Sequence, residues 1–256
     1  MSRYGVQCDE LEALMQDLHA LDVGIESIFT HFAGGIMDND GNLDQFNQFM
    51  ACTDPLVNKN ISRHAAATTG CCQKIGTELD FVRPGGSLYG LCSGNDLPGS
   101  TIFQKLGFQP AMSIIARPTF YKLLPAGRHV GYDRMYTTDS PEWIANIACG
   151  WSDGYRRQLS FGRGAMKNNR TGELCPIAGR ISMDSCTLKL PQKPQPDDTY
   201  SVLTADYADR TSYSWMARAL DAANYEITGT WSTRLPRVYI KQGEVHDILH
   251  AVDYSN

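Results

Sequence analysis

The sequence predicts an α/β segment followed by a mostly-β segment, and three observations support this fold class. Amphipathic helices and short apolar strands alternate over residues 1–93, which is typical of βα units on a parallel sheet. From residue 111 onward, β-forming stretches are separated by Gly, Pro and Asn, as in a mostly-β domain. Residues 94–110 contain three Gly and two Pro, which favours a linker. We therefore predict two domains, 1–93 and 111–256, joined by linker 94–110.

The first domain is predicted to contain three strands, each preceded by a helix. Apolar residues recur at helical spacing first, at Leu11, Leu14, Met15 and Leu18. In chain order, the helices and strands are expected near 11–18, Ile25–Thr30, 43–50, Ile61–Ala67, 69–75 and Leu79–Val82. Three βα units cannot close a barrel, which in the commonest case takes eight strands. Alone they would expose a parallel sheet edge, so we expect an incomplete domain.

The second domain is predicted to be built from strands with a single helix. Strands are expected at Met112–Leu124, Arg128–Tyr136, Asn146–Gly150, Ala165–Lys167 and Leu174–Leu190. Residues 168–172 have the composition of a hairpin loop. Apolar residues from Trp215 to Ala223 line one face of the expected helix.

Composition excludes several classes of function. The formal net charge of −5 argues against a nucleic-acid or anionic-membrane partner, which would require clustered Lys and Arg. No apolar run has the length of a membrane span, and residues 1–5 do not resemble a secretory signal. The eight cysteines contain no C-x-x-C pair, so we predict no metal site and expect reduced thiols in a cytoplasmic protein.

Three side chains follow the predicted strands of the first domain, where βα barrels carry their functional groups. They are His31, Thr68 and Arg83. Each also has an ordinary structural interpretation: a hydrogen-bonded histidine, a helix N-cap and an exposed turn residue. Together, however, the Thr68 hydroxyl and the Gly85-Gly86 turn could form a phosphate cup from backbone N–H groups and one OH.

Several short motifs occur in order along the chain. They are Met1–Gly5, Thr30–Ala33, Val82–Gly85, Leu88–Gly90, Val130–Tyr132, Gly150–Gly154, Gly179–Asp184 and Arg234–Tyr239. Together they resemble the motifs of the alanine racemase family. Any one of them could occur by chance, whereas the ordered set over essentially the whole chain is specific. The resemblance implies a cytoplasmic, pyridoxal 5′-phosphate-dependent enzyme that interconverts L- and D-alanine. It also implies a fold in which residues 1–93 supply the last three βα units of a (β/α)8 TIM-type barrel, followed by the β-rich domain.

The resemblance also implies roles for particular residues. Tyr132 would transfer the α-proton on one face of the substrate, in the active site of the partner subunit of a head-to-tail homodimer. His31 would hydrogen-bond that tyrosine, and Arg83 would support His31. Arg83 would in addition face the pyridine nitrogen of the cofactor and keep it unprotonated, because an arginine does not give up its proton.

The remaining implied roles concern binding. Thr68 and the N–H groups of Gly85 and Gly86 would hold the phosphate of the cofactor. The substrate carboxylate would be held by Arg3 and by the main-chain N–H of Met183, the latter from across the dimer.

The sequence departs from the family pattern at several points. No lysine lies in the motif that carries the cofactor-binding lysine of the family. The Asn-Ser pair of the family is replaced by Ala67-Thr68, and two of its tyrosines by Trp151 and Thr233. We therefore expect a fragment of a working alanine racemase that is inactive by itself. The alternatives are an inactive remnant that acts in dimerisation or partner binding, and a racemase for serine or a broader set of amino acids.

Overall fold

The structure, a computed structural model, describes residues 1–91 and 97–250. It divides into two units, residues 1–108 and 109–256. The parts of the sequence predictions that fall on 92–96, within the expected linker, and on 251–256 lie outside the described residues. None of the helices in the described part of the chain has the length and hydropathy needed to cross a bilayer.

The first unit alternates helices and strands in the predicted order. Its elements are α1 (Leu11–Ala20), β1 (Ser27–Phe29), α2 (Asn39–Thr53), β2 (Ser62–Ala67), α3 (Thr68–Gln73), β3 (Phe81–Arg83) and α4 (Leu97–Lys105). The strands form a parallel sheet in the order β1-β2-β3. Among the described residues this sheet has three strands. The carboxyl ends of all three therefore meet at one edge.

The core of the first unit lies between the sheet and α2. Helix α2 begins after Asp38, whose side chain accepts a hydrogen bond from the N–H of Gly41 at 3.2 Å, the usual N-cap contact. Its apolar residues Phe46 and Phe49 pack with Phe32 and with Ala65 of β2. A helix with buried residues three and four positions apart presents one face to the sheet. Because Phe32 packs against that face, the helix holds the segment that follows β1 in place.

Three sequence predictions for the first unit need correction. Strand β3 ends at Arg83 instead of at Val82, so Arg83 belongs to the strand. Helix α4 lies inside the predicted linker 94–110; its Gly and Pro residues suggested a linker and the helix was missed. Reduced thiols were expected throughout, which is wrong for Cys8 and Cys52, because they form a disulfide with a Cα–Cα distance of 5.4 Å. The cytoplasmic location inferred from reduced thiols loses that support.

The second unit is mostly strands, as predicted. Its elements are β4 (Ile114–Ala116), β5 (Pro118–Leu124), β6 (His129–Val130), β7 (Tyr136–Thr137), β8 (Glu142–Ile147), β9 (Ala165–Asn168), β10 (Leu174–Pro176), β11 (Cys186–Leu190), β12 (Tyr200–Leu203), α5 (Tyr213–Leu220), α6 (Asn224–Gly229), β13 (Arg237–Lys241) and β14 (Glu244–Leu249). A four-stranded sheet has the order β10-β9-β12-β4 and a three-stranded sheet the order β11-β8-β5. The short pair β6-β7 and the hairpin β13-β14 are separate. Helix α5 begins after Ser212, whose hydroxyl accepts from the N–H of Trp215.

Three predicted strands of the second unit are interrupted. Residues 112–124 form β4 and β5, which belong to different sheets. Residues 128–136 form β6 and β7 with a short 3₁₀ turn, Tyr132–Arg134, between them. Gly131, Asp133 and Arg134 all have positive φ, which no strand accommodates. Residues 174–190 likewise form β10 and β11 with an irregular segment between them. Strands β12, β13 and β14 and helix α6 were not predicted.

Candidate active site

Arg83 joins the ends of the three parallel strands. Its guanidinium donates to the carbonyl oxygen of Thr30 at 2.8 Å and to that of Ala65 at 3.3 Å. It also contacts Nδ1 of His64 and lies over the ring of Phe29, 5.1 Å from its centroid. None of these partners is a carboxylate. Burial lowers the pKa of Arg83, and within the described residues its charge has no anionic partner.

His64 was missed by the sequence analysis, although it is the most closely held partner of Arg83. A guanidinium can only donate, so Nδ1 of His64 accepts and its Nε2 is left to hydrogen-bond Ser27 Oγ at 3.3 Å. The imidazole is therefore neutral, and burial followed by the charge of Arg83 lowers its pKa. No local sequence signal singles out His64, because it follows the polar residues Ser62 and Arg63 in β2.

His31 follows β1 and lies in the same electropositive region. Its pKa is lowered first by burial, then by the charges of Arg83 and Arg3 and of the N-terminal amine. Two other residues predicted for the site, Arg3 and Arg83, therefore both act on the His31 ring. The described hydrogen bonds link Arg83 to His64 and to no atom of the His31 ring. In this structure Arg83 therefore acts on the His31 ring through its charge and not through a hydrogen bond among the described residues.

Thr68 begins α3 directly after β2 and is buried. Its Oγ1 accepts from the N–H groups of Gly85 at 3.1 Å and Ser87 at 3.3 Å, and lies 3.4 Å from Ser87 Oγ. The Gly85–Ser87 turn therefore wraps around the Thr68 hydroxyl, and the N–H of Gly85, one of the donors predicted for a phosphate, is bonded to Thr68. A second hydroxyl, that of Ser87, was not predicted. At Gly85 a Cβ would meet no atom within 4 Å, so the space beside this turn is open.

Tyr132 lies in the second unit, at the tip of the turn between β6 and β7, with its side chain 67% exposed. Its neighbour Asp133 lies 3.0 Å from Nε of Arg180. Gly131 has a φ of 77°, and a Cβ there would lie 3.2 Å from the backbone nitrogen of Arg180. The turn is therefore held against the Gly179-Arg180 segment, while Tyr132 remains largely exposed to solvent.

Met183, also exposed, lies in the irregular segment before β11. Its carbonyl oxygen accepts from the N–H of Ser152 at 3.0 Å and from the Ser152 hydroxyl at 2.9 Å. Gly150 is required here, because a Cβ would lie 2.2 Å from that carbonyl oxygen. The structure thus joins two motifs that the sequence analysis identified separately.

Arg234 fastens these two loops together. It donates to Asp153 Oδ1, Ser152 Oγ and Asp184 Oδ1, each at 2.7 Å. Asp153 is buried and also accepts from the N–H of Gly150 at 2.8 Å. The two carboxylates raise the pKa of Arg234, and the bonds from Arg234 and Ser152 lower that of Asp184.

The chemistry of the first unit suits an anionic ligand. Arg3 and Arg83 bring charge that the described residues do not neutralise, and Thr68 and Ser87 add hydroxyls beside open space. Backbone amides and hydroxyls beside an unpaired cation are typical of phosphate and carboxylate sites. The second unit adds a solvent-facing phenol and a clamped loop. The order of these parts along the chain matches a known protein family.

Two family models match the chain. One, "Alanine racemase, N-terminal domain", matches residues 1–93, and the other, "Alanine racemase, C-terminal domain", matches residues 111–239. The chain belongs to the alanine racemase family. This confirms the resemblance seen in the motifs.

Individual relatives agree with that assignment. The alanine racemase of Streptococcus thermophilus is 32% identical over 241 residues, which are 93% of this chain and 64% of the relative. That of Listeria monocytogenes is 30% identical over 94% of this chain and 64% of its own length. The crystal structure of alanine racemase from Bacillus anthracis with bound L-Ala-P superposes with a TM-score of 0.82 at 28% identity, covering 98% of this chain and 64% of that one. The chain spans just under two thirds of the length of these relatives.

Proposed function

We propose that this chain supplies part of the active site of a pyridoxal 5′-phosphate-dependent racemase that interconverts L- and D-alanine. The observation that carries the proposal is Arg83, a half-buried cation with no anionic partner among the described residues, at the strand ends beside the Thr68 turn. We further propose that β1, β2 and β3 are the last three strands of a (β/α)8 barrel, since three parallel strands with helices between them require further strands to close.

The residues of the first unit fit the proposed cofactor. Thr68 and the N–H groups of Gly85 and Gly86 would hold its phosphate at the open side of the turn, where Gly85 leaves space, and the Gly85 N–H would exchange its bond to Thr68 for one to the phosphate. Arg83 would face its ring nitrogen and keep that nitrogen unprotonated. When bound, the cofactor withdraws electrons from the α-carbon of the amino acid and so makes the α-proton removable. Neutral His64 would maintain the orientation of Arg83 by accepting its hydrogen bond. Because it carries no negative charge, it would not neutralise the guanidinium.

The remaining residues would bind the substrate and move its proton. Arg3 and the N–H of Met183 would hold the substrate carboxylate, and the Arg234 network would keep Met183 in place. Tyr132 would give or take the α-proton on one face, reaching the site of the other subunit in a homodimer. Its exposure suits that role, because a base that serves a neighbouring subunit must project from its own. His31 would orient the phenol.

Racemisation needs a second base on the opposite face, which in this family is a lysine. No lysine of the 256 residues lies in the corresponding motif. We therefore propose that the 256-residue chain by itself has no racemase activity.

A chimera tests the proposal. The lysine-bearing barrel segment of the S. thermophilus racemase is placed before Met1, and alanine and serine racemisation are measured with purified chimera and with the 256-residue chain. We expect the chimera to racemise alanine in preference to serine and the chain alone to be inactive. The matched control is the chimera with Lys241→Gln, an exposed residue of β13 that lies outside the proposed site, and it should retain activity.

Three results would contradict the proposal. Alanine turnover by the chain alone would mean that the essential amine is present in these residues. A preference for serine would overturn the assignment of substrate. A folded, cofactor-binding chimera without racemisation would favour the alternative of an inactive remnant that serves in dimerisation or partner binding.

A further inference from the structure

One side chain of α2, Gln45, forms hydrogen bonds with His31 and with residues on both sides of it. Its Nε2 donates to the carbonyl oxygen of His31 at 2.7 Å and to the hydroxyl of Thr30 at 3.1 Å. Its Oε1 accepts from the N–H of Ala33 at 3.0 Å. The two donors and the acceptor of the amide are thus all used on residues 30–33. The assignment of oxygen and nitrogen is fixed by two of these partners, because a flipped amide would set its oxygen against the His31 carbonyl and its NH2 against the N–H of Ala33.

Two other contacts hold the residues on either side of His31. Phe32 is buried against Phe46 and anchors the residue after His31 in the core. Arg83 binds the carbonyl oxygen of Thr30, the residue before it. Arg83 thus holds the peptide group before the Cα of His31, and in the described residues the peptide group after it is bonded through the His31 carbonyl only by Gln45.

We propose that Gln45 is a positioning residue for His31, fixing its backbone so that the imidazole stays beside Arg83 and faces the tyrosine it is to orient. The inference rests on the role proposed for His31. Gln45 touches neither substrate nor cofactor and acts only through His31. The physical basis is geometric, since a displacement of about 1 Å at a proton-transfer group can lower a rate by up to about 10²-fold.

The chain contains a matched control in Gln73. It is also half-buried, and its Nε2 donates to the carbonyl oxygens of Gly35 at 3.4 Å and Ile36 at 2.9 Å. Gln73 therefore fastens the far end of the same loop with the same chemistry. Replacing either glutamine by methionine removes the amide and nearly conserves side-chain length, without adding a charge.

The first measurement is the NMR pH titration of the imidazole of His31 in the 256-residue chain. The six histidines give few resonances, and His31→Gln identifies the one that matters. The groups that act on this ring are Arg83, Arg3 and the N-terminal amine, which together with burial lower its pKa. In Gln45→Met the ring should leave this neighbourhood, so its pKa should rise towards the ordinary value. In Gln73→Met it should not change.

The second measurement is racemisation by the chimera. Gln45→Met should lower kcat by about 10- to 100-fold while KM for alanine stays unchanged, because binding of the carboxylate is untouched. Gln73→Met should leave both unchanged. If Gln45→Met does not fold, Gln45→Asn, which is neutral but one methylene too short to reach, is measured in the same way.

The outcomes separate this inference from the proposed function. An unchanged His31 pKa in a folded Gln45 variant would overturn the inference and leave the proposed function intact. A raised pKa with undiminished kcat would overturn both the inference and the role of His31. Equal effects of the Gln45 and Gln73 variants would show that the amide only stabilises the loop, which also overturns the inference.

Discussion

The two units hold their candidate functional groups in different ways. In the first unit the groups lie at the ends of three parallel strands and are fixed by backbone carbonyls, hydroxyls, amide side chains and a neutral histidine. In the second unit Tyr132 and Met183 lie on exposed loops that ion pairs fasten, through Arg180 and Arg234. The described buried carboxylates, Glu142, Asp153 and Asp198, all belong to the second unit.

The comparison shows which changes should disturb the functional groups of each unit most. A site built from neutral hydrogen bonds around a free cation keeps that cation available for an anionic ligand. A site on loops requires charge pairs to order the chain, and these depend on carboxylates remaining ionised. We therefore expect substitutions of acidic residues and low pH to disturb the second unit first.

The largest effect on stability should come from Asp153. Asp153→Asn removes the charge that binds Arg234 and weakens the bond from the N–H of Gly150. Breaking a buried pair typically costs about 3–5 kcal/mol, and because Arg234 is 47% exposed we expect about 3 kcal/mol in the free energy of unfolding of the second unit. Urea denaturation followed by the fluorescence of Trp151 and the other tryptophans, all of which lie in this unit, measures it.

The matched control is the ion pair of the first unit, Arg63–Asp54 at 2.7 Å, in which Asp54 is 61% exposed. Asp54→Asn should cost less than about 1 kcal/mol, as exposed pairs do. Equal losses of unfolding free energy for Asp153→Asn and Asp54→Asn would contradict the expectation that the second unit depends more on its ion pairs.

A smaller effect should follow from acid. Asp198 is fully buried and accepts from Arg170, Asn168 and the N–H of Gln195, with Arg170 the main cause of a pKa lowered to about 2. A carboxyl whose folded pKa lies below its unfolded value of about 3.9 stabilises the fold above that value, and the gain is lost as pH falls towards about 2. The ionised Asp198 carboxylate should therefore contribute about 2 kcal/mol to the free energy of unfolding.

Thermal unfolding between pH 5 and pH 2.5 checks the acid prediction, with tryptophan fluorescence reporting the second unit and His-ring NMR the first. The second unit should lose stability first, and Asp198→Asn should flatten its pH dependence. Earlier loss of the first unit would contradict the comparison.

Much of the fold of the first unit and the positions of its strand-end residues could be predicted from the sequence. The alternation of helix and strand up to β3 follows from local periodicity, and the strand-end residues His31, Thr68 and Arg83 follow from it in turn. The break at Tyr132–Arg134 could not be predicted, because it depends on positive φ values and on packing against Gly179 and Arg180, nearly fifty residues away.

Contacts between distant residues explain the other omissions. Gln45 and His64 occur as ordinary polar residues in a helix and a strand, and only the fold places them against His31 and Arg83. Arg234 reaches Asp153 across 81 positions of sequence. The Cys8–Cys52 disulfide likewise joins residues 44 positions apart, a pairing that spacing alone does not specify.

The most direct test of the central claim is hydrogen exchange at the α-carbon in the chimera with Tyr132→Phe. The substitution removes the proposed acid/base group with little change in volume, and racemisation should fall by about 10²–10⁴-fold. The lysine serves the opposite face, so solvent deuterium should still enter D-alanine, whereas entry into L-alanine should collapse. Equal loss of exchange for both enantiomers, or none for either, would contradict the assignment of Tyr132 as the base for one face.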